Sequence, residues 1–202
     1  MPRAGLTHER VVSEAGQFAD AVGLEAVTIS ALAARLGVAQ PSLYKHISSV
    51  QHLNRSIALR ALSELAVVLS RAAIGRSRGD AVLALCSAYR EWGRAHPGRY
   101  ASLQRAPVPG DTEMTTAANE LAGIFLSVFS GYGLDGDDAI DALRALRSAL
   151  HGFVTLQELG GFGLPVDVDR SFHRMVAAFE ASLPMWLSAN TQSSRSAVLP
   201  VA

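Results

Sequence analysis

The sequence predicts an all-α protein of about nine helices, and three observations lead to that fold class. Apolar residues recur at intervals of three and four along most of the chain, which places them on one face of a helix. No stretch alternates apolar and polar residues for long enough to predict a strand. Clusters of glycine and proline separate the periodic stretches, as expected at the ends of helices. The chain has 202 residues, of which 49% are hydrophobic, so it can bury its own core.

The first two predicted helices are short and have clear start and stop signals. The first begins near Thr7 and ends at Gly23. Its apolar face, spaced by four, three and four residues, consists of Val11, Ala15, Phe18 and Val22. The second has Thr28 as its N-cap and stops before Gly37, a residue that readily adopts the left-handed conformation that ends a helix. Its core face consists of Ile29, Leu32, Ala33 and Leu36.

The third predicted helix follows the second after a very short turn. It opens at Pro41, whose fixed φ suits the first turn of a helix, and Leu43 and Ile47 anchor it inward. Only residues 37–40 separate the two helices, which is about the turn length of a DNA-reading helix-turn-helix. We therefore predict a helix-turn-helix domain at residues 5–49, extended to about residue 65 by the next helix.

The fourth predicted helix, from Val50 to about Ala73, connects the helix-turn-helix to a larger second domain at residues 66–187. The other helices of that domain are predicted at Asp80 to Ala95, at Arg99 to about Gln104, after a cap at Thr112 or Thr115, after Asp137 and Asp138, and from about Asp167 to Pro184. The tail at residues 188–202 is polar and is predicted to be disordered.

The composition argues against several other classes of protein. The formal net charge is zero, the single cysteine, Cys86, cannot form an intrachain disulfide, and no apolar stretch is long enough to span a membrane. We therefore expect a cytoplasmic protein with no membrane partner. The six histidines have no metal-ligand spacing, and neither a GxSxG nor a phosphate-loop motif occurs. No catalytic residue, metal site or cofactor is predicted.

The run from Gly37 to Ile47 resembles the turn and recognition helix of TetR-type transcriptional regulators, and Leu43-Tyr44-Lys45-His46 matches their Leu-Tyr-x-His signature. The resemblance covers roughly residues 5–65. It implies a homodimeric, all-helical repressor whose C-terminal domain, here residues 66–187, mediates dimerisation and binds a small-molecule effector.

Two further segments are similar to the C-terminal domain type named for a Trp-His-Gly motif. Leu150-His151-Gly152 carries the motif with leucine in place of tryptophan. The segment from His96-Pro97 to Tyr100 is similar to the His-Pro-x-x-Tyr connection of that type.

The recognition helix determines which residues we expect at a double-stranded DNA operator. In the major groove, Gln40 is predicted to pair with adenine, Lys45 with guanine, and the Pro41 ring to touch a thymine methyl group. The alternative for Lys45 is a phosphate contact. Other residues, Tyr44 and His46 among them, are predicted to contact the DNA backbone. The full predicted set is Thr28, Gln40, Pro41, Ser42, Tyr44, Lys45 and His46.

Two departures from the family pattern weaken the expected DNA affinity. Val50 stands where the family usually has a phosphate-contacting lysine, and Arg55 or His52 is a candidate to supply that charge. Ala39 stands where serine or threonine often caps the third helix, a cap typically worth ~1 kcal/mol. The alternative function is therefore a helix-turn-helix-derived ligand-binding or interaction module with weak or no DNA binding.

The effector and dimer predictions rest on the second domain. The predicted ligand contacts are Tyr89, Trp92, Tyr100, Leu103, Phe125, Phe129 and His151. They bring few charges, which indicates a small apolar or aromatic effector, although plain core packing is the alternative for each of them. The last two long helices carry apolar residues on more than one face, Leu143, Leu146, Leu150, Phe153 and Val154. We expect them to form a four-helix bundle with a second copy, the alternative being burial within their own domain.

Overall fold

A computed structural model describes residues 5–187, and these residues form nine α-helices and no strand. The helices are α1 (His8–Val22), α2 (Ile29–Leu36), α3 (Gln40–Leu43), α4 (Val50–Ala73), α5 (Arg78–Ala95), α6 (Pro97–Ser102), α7 (Thr112–Ser130), α8 (Gly136–Glu158) and α9 (Val168–Trp186). The predicted all-α fold is confirmed. The predicted disordered tail lies outside the described residues.

The chain divides into two compact units, and each is built from two separate stretches of sequence. Among the described residues, the head unit comprises residues 5–66 and 92–118, and the body unit comprises residues 67–91 and 119–187. The chain therefore leaves the head within α4 and returns to it within α5. Within the described part of the chain, no helix has the length and apolar character needed to cross a membrane.

Threonine caps both α1 and α2, and the sequence predicts the cap at Thr28. The Thr7 hydroxyl accepts a hydrogen bond from the Arg10 amide at 3.2 Å, and the Thr28 hydroxyl accepts one from the Ala31 amide at 3.1 Å. Gly37 ends α2 in the left-handed conformation, with φ of 66°. Val22, predicted on the apolar face of α1, is instead exposed, because the helix ends at the next residue.

The core of the head unit holds the first helices against α4. Val11, Leu32, Leu43, Ile47 and Leu53 are all essentially inaccessible to solvent. They come from α1, α2, the segment that begins with α3, and α4. Burial of each such side chain contributes roughly 1.5–3 kcal/mol, so α3 is held in place despite its single turn.

Helix α6 lies directly against α1. It begins at Pro97, two residues before the predicted start, because a proline in the first helical position lacks only an N–H that would have no partner there. Gly98 is buried, and a Cβ built on it would overlap the carbonyl group of Ala19. The close approach of the two backbones therefore requires glycine at this position.

A network of charged groups secures this contact. The Arg99 guanidinium donates to Asp20 at 2.7 Å and to Glu64 of α4, and the Arg99 amide donates to the second Asp20 oxygen at 2.9 Å. His96 lies on the same network, with 2.6 Å between its Nδ1 and an Arg99 nitrogen. The side chains of Arg99 and Asp20 are only 16% and 14% exposed, so this network replaces much of their hydration.

A second ion pair within the head unit joins α4 to the start of α7. Arg55 donates to both oxygens of Asp111, at 2.6 and 2.7 Å, and to Glu113 at 2.8 Å. These bonds lower the pKa of Asp111 to about 2, so the pair stays charged at neutral pH. Asp111 is also the N-cap of α7, since it accepts from the Met114 amide at 3.1 Å. Neither of the two threonines proposed as caps from the sequence has that role.

In the described part of the body unit, Arg90 is a buried arginine in a largely apolar core. Arg90 of α5 donates to Gln157 at 2.9 Å and to Asp169 at 2.7 Å, and its guanidinium lies 4.6 Å from the centre of the Phe172 ring. Other buried apolar side chains of the body unit include Leu146, Leu150, Val154, Val176 and Leu183. Because its hydrogen bonds and ring contacts replace water, a charged side chain is tolerated there.

Candidate nucleic-acid interface

Helix α3 and the turn that follows it, residues 40–47, form the recognition segment, which has a buried side and an exposed side. Helix α3 is followed by a hydrogen-bonded turn, in which the amides of His46 and Ile47 donate to the Leu43 carbonyl at 2.8 and 3.0 Å. Leu43 and Ile47 are buried, while Tyr44 is 55% exposed. Leu43 and Ile47 anchor the segment to the core of the head unit, and the side chains on its opposite side face solvent.

The structure brings six of the seven predicted DNA-binding residues onto or next to this segment. Gln40, Pro41, Tyr44 and Lys45 are exposed, and Ser42 and His46 are half-buried. The helix begins at Gln40, one residue before the predicted start, and no side chain caps it at Ala39. The missing cap is the one that the sequence indicates.

The seventh predicted residue, Thr28, lies at the start of α2. Its side chain is exposed, although its hydroxyl already accepts the Ala31 amide at 3.1 Å. A hydroxyl in this position can still donate to a phosphate oxygen, and the amides at the start of a helix favour negative charge.

A stacked pair of histidines lies beside the end of the recognition segment, and only one of them has a place in the sequence prediction. The rings of His8 and His52 have centroids 5.7 Å apart and planes 22° apart. His8 Nδ1 donates to the His46 carbonyl at 2.9 Å. His52 Nδ1 accepts from the amide and the hydroxyl of Ser48, each at 3.1 Å. His8 and His52 are 44 residues apart in the sequence, and no local pattern indicates their contact.

Arg55, one of the two candidates for the charge missing at Val50, is already engaged within the protein. Its guanidinium is bound by Asp111 and Glu113, and these contacts raise its pKa further above the ordinary value. A phosphate would have to compete with two carboxylates for this side chain. His52 is therefore the better placed of the two candidates.

The predicted ligand contacts are distributed over both units. Trp92, Tyr100 and Leu103 belong to the head unit, and Tyr89, Phe125, Phe129 and His151 to the body unit. All are buried except His151, which is half-buried and has 3.5 Å between its Nδ1 and the Thr155 hydroxyl. A polar cavity of about 90 Å³ in the head unit contains none of them and is lined by Val12, Ser13, Gly16, Gln17, Ile57, Arg60, Glu64 and Arg99.

The proposed dimer helices bury much of their apolar surface within the body unit. Four side chains of α8 are buried there: Leu146, Leu150, Phe153 and Val154. Their burial agrees with the alternative of packing within their own domain, and Leu143 is half-buried. Other large apolar side chains of this unit are exposed: Ile140, Leu156, Leu159, Phe162, Leu164, Val166 and Met185. The predicted four-helix bundle with a second copy stays a prediction, and these exposed side chains are available to a partner.

Two segments of the chain match known protein families. Residues 11–53 match the family described as "Bacterial regulatory proteins, tetR family". Residues 82–179 match the family described as "Tetracyclin repressor-like, C-terminal domain".

Individual relatives agree with these matches. The chain is 41% identical to an uncharacterized HTH-type transcriptional regulator of Mycobacterium tuberculosis, Rv0681, over 89% of this chain and 83% of that protein. It is 31% identical to an uncharacterized HTH-type transcriptional regulator of Bacillus subtilis, YobS, over 90% of this chain and 95% of that protein.

A solved structure of a TetR family protein has the same fold. ActR from Streptomyces coelicolor, in complex with (S)-DNPA, superposes with a TM-score of 0.62 at 21% identity, over 90% of this chain and 98% of that one. The matched families and named relatives are regulators, and no enzymatic family is indicated. The chain belongs to the TetR family of helix-turn-helix transcriptional regulators.

Proposed function

We propose that this regulator binds its operator as a homodimer through residues 40–46 and releases it when a small apolar molecule binds. One observation carries the DNA-binding part of the proposal. Gln40, Tyr44 and Lys45 are exposed on a backbone that is fixed by the buried Leu43 and Ile47. Such a rigid, solvent-facing helical turn fits the major groove.

The individual roles follow from side-chain chemistry. Gln40 and Lys45 are proposed to contact base edges, with Pro41 and Ser42 beside them. Thr28, Tyr44 and His46 are proposed to contact phosphates, which positions the protein without reading the sequence. One such segment reads few base pairs, so the proposal requires a dimer that spans half-sites about 34 Å or more apart.

Replacement of Tyr44 or Lys45 by alanine tests this assignment. We expect Lys45→Ala to weaken operator binding by about tenfold or more, because each protomer of a dimer loses one base contact worth ~1–3 kcal/mol. Tyr44→Ala removes a phosphate contact and should weaken all DNA sequences about equally. Fluorescence anisotropy with the upstream DNA of the gene measures both effects.

The controls separate a lost contact from a lost fold. The exposed Arg71→Ala removes a cation from the last turn of α4 and should leave the affinity unchanged. Light scattering should give twice 21.4 kDa for every variant. Unchanged binding in both recognition variants would refute the assignment. If Lys45→Ala weakened binding to all DNA sequences equally, the Lys45 contact would be to phosphate and not to a base.

The effector is proposed to be small and apolar or aromatic. The candidate contacts within the body unit, Tyr89, Phe125 and Phe129, support this, because they are large, aromatic and uncharged. ActR, which has the same fold, is bound to (S)-DNPA in its solved structure. The proposed mechanism is a population shift, in which the ligand binds more tightly to a conformation that has low DNA affinity.

A thermal-shift screen against apolar and aromatic compounds tests the effector proposal. A compound present at 100 times its dissociation constant stabilises the protein by ~2.7 kcal/mol, which raises the melting temperature by several degrees. The same compound should also release the operator. If no compound raises the melting temperature, or if those that do leave DNA binding intact, the proposal fails.

Two finer assignments accompany this function. The C-terminal region is proposed to be of the type named for a Trp-His-Gly motif, which Leu150-His151-Gly152 and the buried Tyr100 support. A cytoplasmic location follows from the proposed DNA binding. The alternative, an interaction module with little DNA affinity, is favoured by the uncharged Val50. That alternative predicts weak binding at low salt, whereas a true operator complex should remain tight there and weaken steeply as salt rises.

A further inference from the structure

We propose that His8 and His52 form a proton-dependent contact with the DNA backbone, in which His8 supplies the positive charge that is missing at Val50. The proposal rests on the operator binding proposed above. It assigns to this regulator two further DNA-binding residues and a coupling between DNA affinity and pH.

The two rings are held at the end of the recognition segment by hydrogen bonds to the backbone of His46 and Ser48. His8 is the first residue of α1, and its Nδ1 donates to the carbonyl of His46 at 2.9 Å. His52 lies in the first turn of α4 and accepts the amide of Ser48 at 3.1 Å. Both partners lie within five residues of Tyr44, so the pair occupies a position from which the same stretch of DNA backbone can be reached.

The hydrogen bonds determine which nitrogen of each ring carries a proton. A carbonyl only accepts, so His8 carries its proton on Nδ1, and Nε2 remains as the site for a second one. A backbone amide only donates, so His52 accepts at Nδ1 and carries its proton on Nε2. Neither Nε2 has a hydrogen-bond partner among residues 5–187.

These tautomers give the two rings different roles toward a phosphate. Neutral His52 already offers an Nε2–H donor. His8 offers one only when it is protonated, and it can take up that proton without losing its bond to His46. Protonation of His52, in contrast, would place a hydrogen against the Ser48 amide. His8 is therefore the ring that changes charge, and the stacked His52 is its neutral neighbour.

The charged groups around the pair leave His8 without a counter-ion of its own. Glu9, the nearest carboxylate in the sequence, lies 3.9 Å from Arg60 of α4. No carboxylate lies within 4.0 Å of His8 in the described part of the chain. The other titratable or charged groups on the elements that meet here are Arg10 on α1, Lys45 and His46 on the recognition segment, and Arg55 on α4, which is bound to Asp111 and Glu113. A DNA phosphate would be the anion that stabilises protonated His8.

DNA binding should then take up a proton. Histidine changes its charge between pH 5 and pH 8, and a phosphate that binds the charged form favours it in the complex. The complex binds more protons than the separate molecules, so affinity must rise as pH falls through this range and decline as pH rises.

Operator binding measured from pH 8 to pH 6 at fixed salt tests the inference. We expect the wild type to bind more tightly by about tenfold or more at pH 6 than at pH 8, because each of the two His8 side chains in a homodimer contributes a charge-dependent contact. In a salt titration at each pH, the slope of log affinity against log salt should be steeper at pH 6 than at pH 8. The difference should be about 0.9 for each additional phosphate that the protein neutralises. His8→Gln can keep the bond to His46 but cannot be protonated, so it should hold the affinity near the pH 8 value throughout. His8→Lys should bind tightly and independently of pH.

The controls identify the titrating group. His173→Gln alters an exposed histidine of the body unit and should keep the full pH dependence. The proposal would be overturned if His8→Gln kept the pH dependence of the wild type, whether or not His46→Gln lost it. It would also be overturned if His8→Lys bound the operator no more tightly than the wild type at pH 8. If the wild type bound the operator with the same affinity at every pH, the histidine proposal would be overturned and the proposed function would stand. Failure of the wild type to bind at every pH would also overturn the proposed function.

Discussion

Gly98→Ala is expected to lower the free energy of unfolding by about 3 kcal/mol or more. The added methyl group would overlap the carbonyl carbon and oxygen of Ala19, which are backbone atoms that no side-chain rotation can move. Overpacking of a core by a methyl group commonly costs ~1–3 kcal/mol, and a clash with backbone lies at the upper end because one helix must shift. The variant should therefore lose the close contact between α6 and α1.

Urea denaturation followed by circular dichroism measures this loss, and Gly123→Ala is the matched control. Gly123 lies inside α7, and a Cβ there meets no atom within 4 Å. The same substitution should stabilise α7 by roughly 0.5–1 kcal/mol, because alanine is the better helix former. Equal unfolding midpoints for Gly98→Ala and wild type would mean that α6 does not approach α1 as closely as described.

Arg99→Leu is the second substitution with a large expected effect. It leaves Asp20 and Glu64 without the guanidinium that now binds both of them. Removal of one partner from a fully buried ion pair costs about 3–5 kcal/mol. Asp20 and Glu64 are 14% and 28% exposed, so water can partly solvate them, and we expect a loss of about 2–3 kcal/mol.

The measurement is again the free energy of unfolding, with Arg105→Leu as the matched control. Arg105 is an exposed arginine that follows α6 in the same unit, and its replacement should change stability by less than about 0.5 kcal/mol. In the double variant Asp20→Asn, Arg99→Leu, the loss should be smaller than the sum of the two single losses, because both groups belong to one network. Strict additivity would show that the two side chains do not stabilise each other.

Local signals in the sequence predicted most of the helix-turn-helix. Thr28 and Gly37 bound α2 through contacts within four residues of themselves, which a single sequence displays directly. Asp111 shows how such a signal can be misassigned. Aspartate is as good a cap as threonine, and the choice between them depends on its ion pair with Arg55, 56 residues earlier in the chain.

Contacts between distant residues account for what the sequence could not predict. Asp20 and Arg99 are 79 residues apart, and each alone is an ordinary charged residue on a helix. The same holds for His8 and His52, whose stacking depends on how α1 packs against α4. The division of the predicted ligand contacts between two units also depends on the path of the whole chain, because α5 carries Tyr89 in one unit and Trp92 in the other.

The contact between α1 and α6 also sets the order of events during synthesis of the protein. Arg99 leaves the ribosome 79 residues after Asp20, which takes roughly 4–16 s at ~5–20 residues per second. During this interval the nascent head unit has α1 but not the helix that covers Ala19. The head unit, which includes α6, therefore completes its packing only after α6 has emerged.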